Sequence, residues 1–240
     1  MRSFLRGWVI QTIAPAGEAS IWGKVFALTG VAAASYLLGS LCFAIIFTKL
    51  FTGKDIRKLG SGNAGTTNVL RSAGAVPGAL TGIFDFLKGT LAVYIGYWLF
   101  EAAGFNRYSG GCLAALFVLI GHLRPVFFKY RGGKGVMTMA GIIIILNWRL
   151  FLVLAVIYSG VFGAVRITSV AALATAVVLP AANAVICVIS GQPWAISSVF
   201  FAVASSLIFY THRDNIRRLR AGQEGKLKVK RNDGKKRQKQ

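Results

Sequence analysis

Long apolar runs alternate with short polar segments along most of the chain. A bilayer core about 30 Å thick needs about 20 apolar residues as helix. Residues 25–51 meet that length, with Lys49 near one end. Residues 76–104 also meet it and carry Asp85 and Lys88 inside. Residues 110–128 follow, interrupted by His122 and Arg124. Residues 136–146 are too short to span unless tilted or continued. Residues 150–165 and 195–210 sit near the limit, and residues 170–190 form a clear span. Asn147, Trp148 and Arg149 break the fourth run from the fifth. The pattern predicts an all-α integral membrane protein with about seven transmembrane helices. One long helix across the fourth and fifth runs would reduce the count to six. No repeat at solenoid periods is present.

Charge orients these spans. Hydrophobic residues make up 55% of the 240 residues and charged residues 15%, against about 25% charged in soluble domains. Those values speak against a soluble enzyme and a disordered chain, and three cysteines make no disulfide scaffold. Cys42, Cys112 and Cys187 all lie in apolar runs, without metal-ligand spacing, and read as small hydrophobes. The net charge is nevertheless +21. Twelve of the 28 Lys and Arg residues lie from His212 onward; the other 16 accompany only four acidic residues. Something in the body of the chain therefore also favours anions.

Basic residues collect in cytoplasmic loops. With seven spans, Lys54, Arg57, Lys58 and Arg71 share a face with Lys129, Arg131 and Lys134, with Arg166, and with the basic tail. The opposite loops hold only Glu101, Arg107 and Arg149. The C-terminus is expected in the cytoplasm and the N-terminus outside, against the grain of Arg2, Arg6 and Lys24. The apolar stretch at residues 7–13 is too short and ragged for a cleaved signal.

Three polar segments carry candidate chemistry. In the first, Gly60, Ser61, Gly62, Asn63 and Gly65 precede Asn68 and Arg71. Glycines let backbone N–H groups turn toward an anion, hydroxyls and amides add donors, and arginine grips phosphate bidentately. The plainer alternative is an ordinary turn between spans. In the second, Gly132, Gly133 and Gly135 surround Lys134 just ahead of an apolar helix containing Thr138. Backbone donors, a helix N-terminus and an ammonium together suit an anion. Phe128 and Gly135 rule out a Walker A loop, so ATP is not indicated. The plainer alternative is a flexible basic loop. In the third, His212 and Asn215 fall three apart, on one face of a helix, ahead of Arg218 and Glu224. A charged helix end at headgroup level is the alternative there.

Asp85 and Lys88, also three apart, are expected to form an internal salt bridge. His122 reads as a hydrogen-bonded structural histidine or a general base. The chain has no G-x-S-x-G elbow, no H-E-x-x-H and no acidic cluster for a divalent metal. A serine or metal hydrolase is not expected, and no cofactor is implied.

At these segments the chain resembles the bacterial acyl-phosphate:glycerol-3-phosphate acyltransferase family of PlsY type. The S-G-N-x-G-x-T-N-x-x-R pattern is met by residues 61–71. G-H-x-x-P-x-F followed by G-G-K-G is met by residues 121–127 and 132–135, and H-R-x-N-I-x-R-L-x-x-G-x-E by residues 212–224. F-D-F-x-K-G, at residues 84–89, surrounds Asp85 and Lys88. The resemblance runs over roughly residues 30–225. Thr66 departs from the usual alanine, and Arg124 from an apolar or aromatic residue.

The resemblance implies a seven-helix enzyme of the bacterial inner membrane with its site toward the cytoplasm. It implies acyl transfer from acyl phosphate to the sn-1 hydroxyl of glycerol 3-phosphate, giving lysophosphatidate and phosphate. Carried over by position, Ser61, Arg71, Lys134, His212 and Asn215 are the catalytic set and hold glycerol 3-phosphate. Asn63, Asn68, Gly132, Gly133, Gly135 and Thr138 join them in substrate binding. The implied partners are acyl phosphate, glycerol 3-phosphate and membrane lipids, and no nucleic acid. The corresponding organisation is an N-terminal extension at 1–24, a membrane catalytic domain at 25–211, a cytoplasmic motif segment at 212–225 and a flexible basic tail at 226–240.

The donor's own phosphate can take the hydroxyl proton, with His212 or His122 as the protein alternative. The rival function is a transporter of a phosphate-bearing anion, whose site would sit near the bilayer midplane. A membrane scaffold with a lipid-binding tail is the third reading.

Overall fold

The computed structural model describes residues 20–191 and 195–227. The expected short apolar stretch at residues 7–13 and most of the basic tail lie outside these residues. Among the described residues the chain is helical, without strands. The elements are α1 (Ile21–Gly39), α2 (Phe43–Thr52), α3 (Thr66–Ser72), α4 (Ala75–Ala102) and α5 (Arg107–Leu123). Then come α6 (Val136–Leu146), α7 (Trp148–Val165), α8 (Thr168–Ile189), α9 (Ala195–Thr211) and α10 (Arg213–Arg220).

Five segments are long and apolar enough to cross a membrane: Ile21–Thr52, Ala75–Ala102, Arg107–Phe128, Trp148–Val165 and Thr168–Ile189. The pair α9 and α10, bent by 56°, makes a sixth if taken as one span. Helix α6 has only 11 residues, about 16 Å at 1.5 Å per residue. The expected break between the fourth and fifth runs occurs at Asn147, whose side chain caps α7 by accepting from Leu150 N–H at 3.1 Å. Asn147 also donates to Asn183 Oδ1 at 3.2 Å, and Asn183 donates to Ser197 Oγ at 3.0 Å. These amides tie the α6–α7 corner to α8 and α9 inside an apolar core, where an unpaired polar group would be costly.

The first run is broken where the sequence reading has it continuous. Helix α1 stops at Gly39 and α2 restarts at Phe43. The interruption frees the Leu41 carbonyl, which accepts from Lys88 Nζ at 2.9 Å. Ser40 Oγ accepts from the Val126 N–H at 3.3 Å, which ties the break to the chain after α5. The expected pair is present: Lys88 Nζ lies 2.7 Å from Asp85 Oδ1, with both side chains at most 3% exposed.

Helices cross closely at several glycines. A Cβ at Gly141 of α6 would collide with the Phe86 carbonyl on α4, and one at Gly89 with the Thr138 carbonyl on α6. Backbones this near gain van der Waals contact that a lipid environment does not otherwise supply. The main apolar core, built around Val93, Leu119, Ile142, Leu150, Leu179 and Phe201, fastens α4 through α9. The helix ends that carry the polar segments are thereby held together.

Candidate active site

Asn68 organises the first segment. Its amide donates to the carbonyls of Leu59 at 2.9 Å and Asn63 at 3.0 Å, and its Oδ1 accepts from Ser61 N–H at 3.1 Å. With Asn68 only 4% exposed, these bonds set the curve of the loop that carries Ser61 and Asn63. Gly60 and Gly62 take positive φ at the bends, 53° and 71°. Helix α3 then carries Arg71 to the cavity. Its Nη2 donates to the Gly225 carbonyl at 2.8 Å, while Nε is buried without a hydrogen-bond partner.

The second segment is held against the first. Gly133 N–H donates to the His122 carbonyl at 3.2 Å. A Cβ at Gly132 would strike that same carbonyl, and one at Gly133 would strike the His122 ring and the Ala64 carbonyl. Close packing therefore accounts for these two glycines. Gly135, at φ 83°, turns the chain into α6. His122 is 4% exposed, with Nδ1 3.6 Å from Asp85 Oδ1. Thr138 is fully buried in α6 and is not among the residues bordering the cavity.

Lys134 meets the third segment by donating to Asn215 Oδ1. Asn215 in turn donates to Glu224 Oε1 at 2.5 Å, and Arg218 Nε donates to Glu224 Oε2 at 2.6 Å. Ser169, at the start of α8, donates to Glu224 at 2.9 Å across 55 residues of sequence. Burial opposes a charge on Glu224, but these three donors outweigh it and hold the carboxyl below its ordinary value. Burial, reinforced by Arg218, pushes the Lys134 ammonium down to about 8, against the weaker pull of Glu224 and Asp214. His212 is 3% exposed and its Nδ1–H donates to the Ile208 carbonyl at 2.8 Å. Nε2 is then the acceptor nitrogen of the neutral ring.

Ser61, Asn63, Asn68, Arg71, Lys134, Gly135, His212 and Asn215 border one cavity of about 330 Å³. Gly132 and Gly133 border a neighbouring cavity instead. The sequence reading did not assign Asp85, Tyr158, Ser169, Arg218 or Glu224 to the site, yet all line this cavity. The G-x-E ending of the third segment is a local signal for Glu224; Tyr158 and Ser169 sit in apolar runs and have none. An apolar groove of about 210 Å³ adjoins the cavity, sharing Val136, Met137, Tyr158 and Ala172 with it. It continues past Ile143, Phe151 and Leu154 to Leu179.

Comparison with known proteins gives the family. Residues 29–222 match the family described as glycerol-3-phosphate acyltransferase. A glycerol-3-phosphate acyltransferase of Mesorhizobium japonicum is 42% identical over 195 residues, covering 81% of this chain and 93% of the relative. One from Rhodopseudomonas palustris (strain BisB5) is 40% identical, covering 80% and 92%. The crystal structure of PlsY, an integral membrane glycerol 3-phosphate acyltransferase, in its glycerol 3-phosphate form, superposes with a TM-score of 0.74 at 32% identity. It covers 84% of this chain and 96% of that one. The lysophosphatidic acid form gives 0.71 at 30% identity, with the same coverage. By family match, sequence identity and fold, this chain belongs to the glycerol-3-phosphate acyltransferase family of integral membrane enzymes.

Proposed function

We propose that the chain moves a fatty acyl group from acyl phosphate to the sn-1 hydroxyl of glycerol 3-phosphate. The observation that carries this reading is the junction between a cationic polar cavity and an apolar groove. Arg71, Lys134, Ser61, His212 and Asn215 hold the phosphate and glycerol of the acceptor, and the acyl chain lies in the groove. Its carbonyl then sits where Val136, Met137 and Tyr158 border both spaces. Asn68 acts on Ser61 and Asn63 by shaping their loop. Gly132 and Gly133 let that loop and His122 approach.

The hydroxyl oxygen forms its bond to the acyl carbon while the bond from that carbon to the phosphate oxygen breaks. Phosphate departs with the electron pair and takes the hydroxyl proton. His212 Nε2 is a protein alternative consistent with its fixed Nδ1–H. The leaving group is a stable anion, so positioning and charge stabilisation supply most of the rate.

The same reading gives seven membrane passages, with α6 as a short leg away from the site and α7 the return. The ends of α5 and α7, the starts of α6 and α8, and His212 directly after α9 all border the cavity, which supports this alternation. The site then faces the cytoplasm of a bacterial inner membrane, with the C-terminus on that side and the N-terminus opposite. A site built from helix ends favours an enzyme over a carrier with a midplane site.

Purified protein given acyl phosphate, acyl-CoA or acyl carrier protein donors with labelled glycerol 3-phosphate is expected to form labelled lysophosphatidate from acyl phosphate alone. Label carried into sealed vesicles without lysophosphatidate would sink the reading.

The pH profile follows from Lys134. A lysine is charged below its pKa, so the free enzyme loses this cation as pH rises through about 8. The value of kcat/KM for glycerol 3-phosphate is expected to fall above that pH, since it reports the free enzyme. Bound phosphate restores the proton, so kcat stays flatter. Lys134→Arg, charged throughout, is expected to remove the inflection even though it lowers the rate.

A further inference from the structure

A second cavity of about 330 Å³ lies beyond Lys134. Ser61, Asn63, Lys134 and Arg218 border it and the catalytic cavity alike. Arg124, Arg131 and Arg213 border only the second, and all three are exposed, so it opens to solvent. None of its lining residues belongs to the apolar groove. Arg213 is stacked 4.7 Å above Tyr210 and donates to the Tyr210 carbonyl at 3.1 Å, while Arg124 donates to the Tyr130 carbonyl at 3.4 Å. Each guanidinium is thus oriented, with further N–H groups left for a ligand. Asp214, the carboxylate of this lining, is 3.2 Å from Arg217. Among the described residues, Arg124 and Arg131 have no carboxylate within 4.0 Å.

We infer that this second cavity is an oxyanion subsite that receives the inorganic phosphate released from the acyl donor and passes it to water. The inference rests on the acyl-phosphate reading above. The two products leave by different routes because they differ in solubility. Lysophosphatidate keeps its chain in the groove and departs into the bilayer. Phosphate has no apolar part and must move from Lys134 to the aqueous side. Lys134 has three donors on a flexible stem and borders both spaces, so it hands the anion on without leaving it unpaired. Arg131 and Arg124 take it next, bidentately.

The test is product inhibition of the full-length enzyme by added inorganic phosphate. For the double variant Arg124→Ala with Arg131→Ala, the inhibition constant is expected to rise about tenfold, as loss of charge-assisted contacts implies, while KM for glycerol 3-phosphate holds within about twofold. Arg131→Ala and Arg213→Ala, each at an exposed position, repeat the reading singly should the double variant lose its fold. An unchanged inhibition constant overturns the subsite. A parallel rise in KM for glycerol 3-phosphate also overturns it, by assigning the cavity to the acceptor. If acyl phosphate releases no phosphate at all, the acyl-phosphate reading itself fails; if phosphate is released and inhibition is indifferent to the arginines, only the subsite fails.

Discussion

Lys134→Ala is expected to lower kcat/KM for glycerol 3-phosphate by roughly a thousandfold, the upper end of what one preorganised donor supplies. Among the described residues, the ammonium is the only charged side chain that borders both cavities and also bonds directly to Asn215. Removing it takes a cation from the cavity and leaves Asn215 Oδ1 without its donor. Both KM and kcat are expected to change if, as proposed, the charge serves both the bound acceptor and the developing phosphate. The fold is expected to survive. The loop is fastened by backbone groups that alanine keeps, from Gly133 N–H to the His122 carbonyl and from Thr211 Oγ to the Lys134 carbonyl. Steady-state kinetics beside a thermal melt separate the two effects. Activity within tenfold of the parent in a folded variant would remove Lys134 from the chemistry.

The three polar segments were legible because each concentrates turn-forming, donating and cationic residues between apolar runs, and the cavity brings all three together. What each residue does within them was less legible. Asn68 and Asn63 look alike as amides in a glycine-rich loop. Only the folded chain shows Asn68 spending its amide on three carbonyls and a backbone N–H. Gly132 and Gly133 suggested an anion cradle; only the folded chain shows that a side chain at either would also collide with His122, and at Gly133 with Ala64. Thr138 follows that loop by only a few residues, but helix α6 turns it into the protein interior.

The remaining gaps come from contacts distant in sequence. Ser169 reaches Glu224 across 55 residues, and neither local pattern announces the other. The break at Ser40 is silent in hydropathy, because Gly39, Ser40 and Cys42 are small enough to sit in an apolar run. Its reason lies on α4, in the ammonium of Lys88 that needs the Leu41 carbonyl. Hydropathy likewise marks residues 136–146 as apolar, but cannot say how an 11-residue helix crosses a bilayer.

Asp85→Ala is expected to destabilise the protein by about 3–5 kcal/mol, the usual cost of stripping one partner from a buried ion pair. Lys88 keeps the Leu41 carbonyl but loses its counter-charge, 2.7 Å away, at a position where both side chains are almost wholly enclosed. The penalty comes from the uncompensated ammonium rather than from the missing carboxylate. Adding Lys88→Met to Asp85→Ala is therefore expected to restore most of the lost stability, although α1 and α2 then lose a tie to α4. Thermal unfolding in detergent reads the difference, with the single variant lower by about 10 °C and the double variant recovering most of that gap. Equal midpoints for the two variants would mean that Asp85 stabilises through His122, 3.6 Å away, and not through Lys88. Asp85 and His122 also border the cavity that holds Lys134 and His212, so Asp85 forms part of its wall. Residual activity in the double variant then reports how far the site tolerates that wall without its charges.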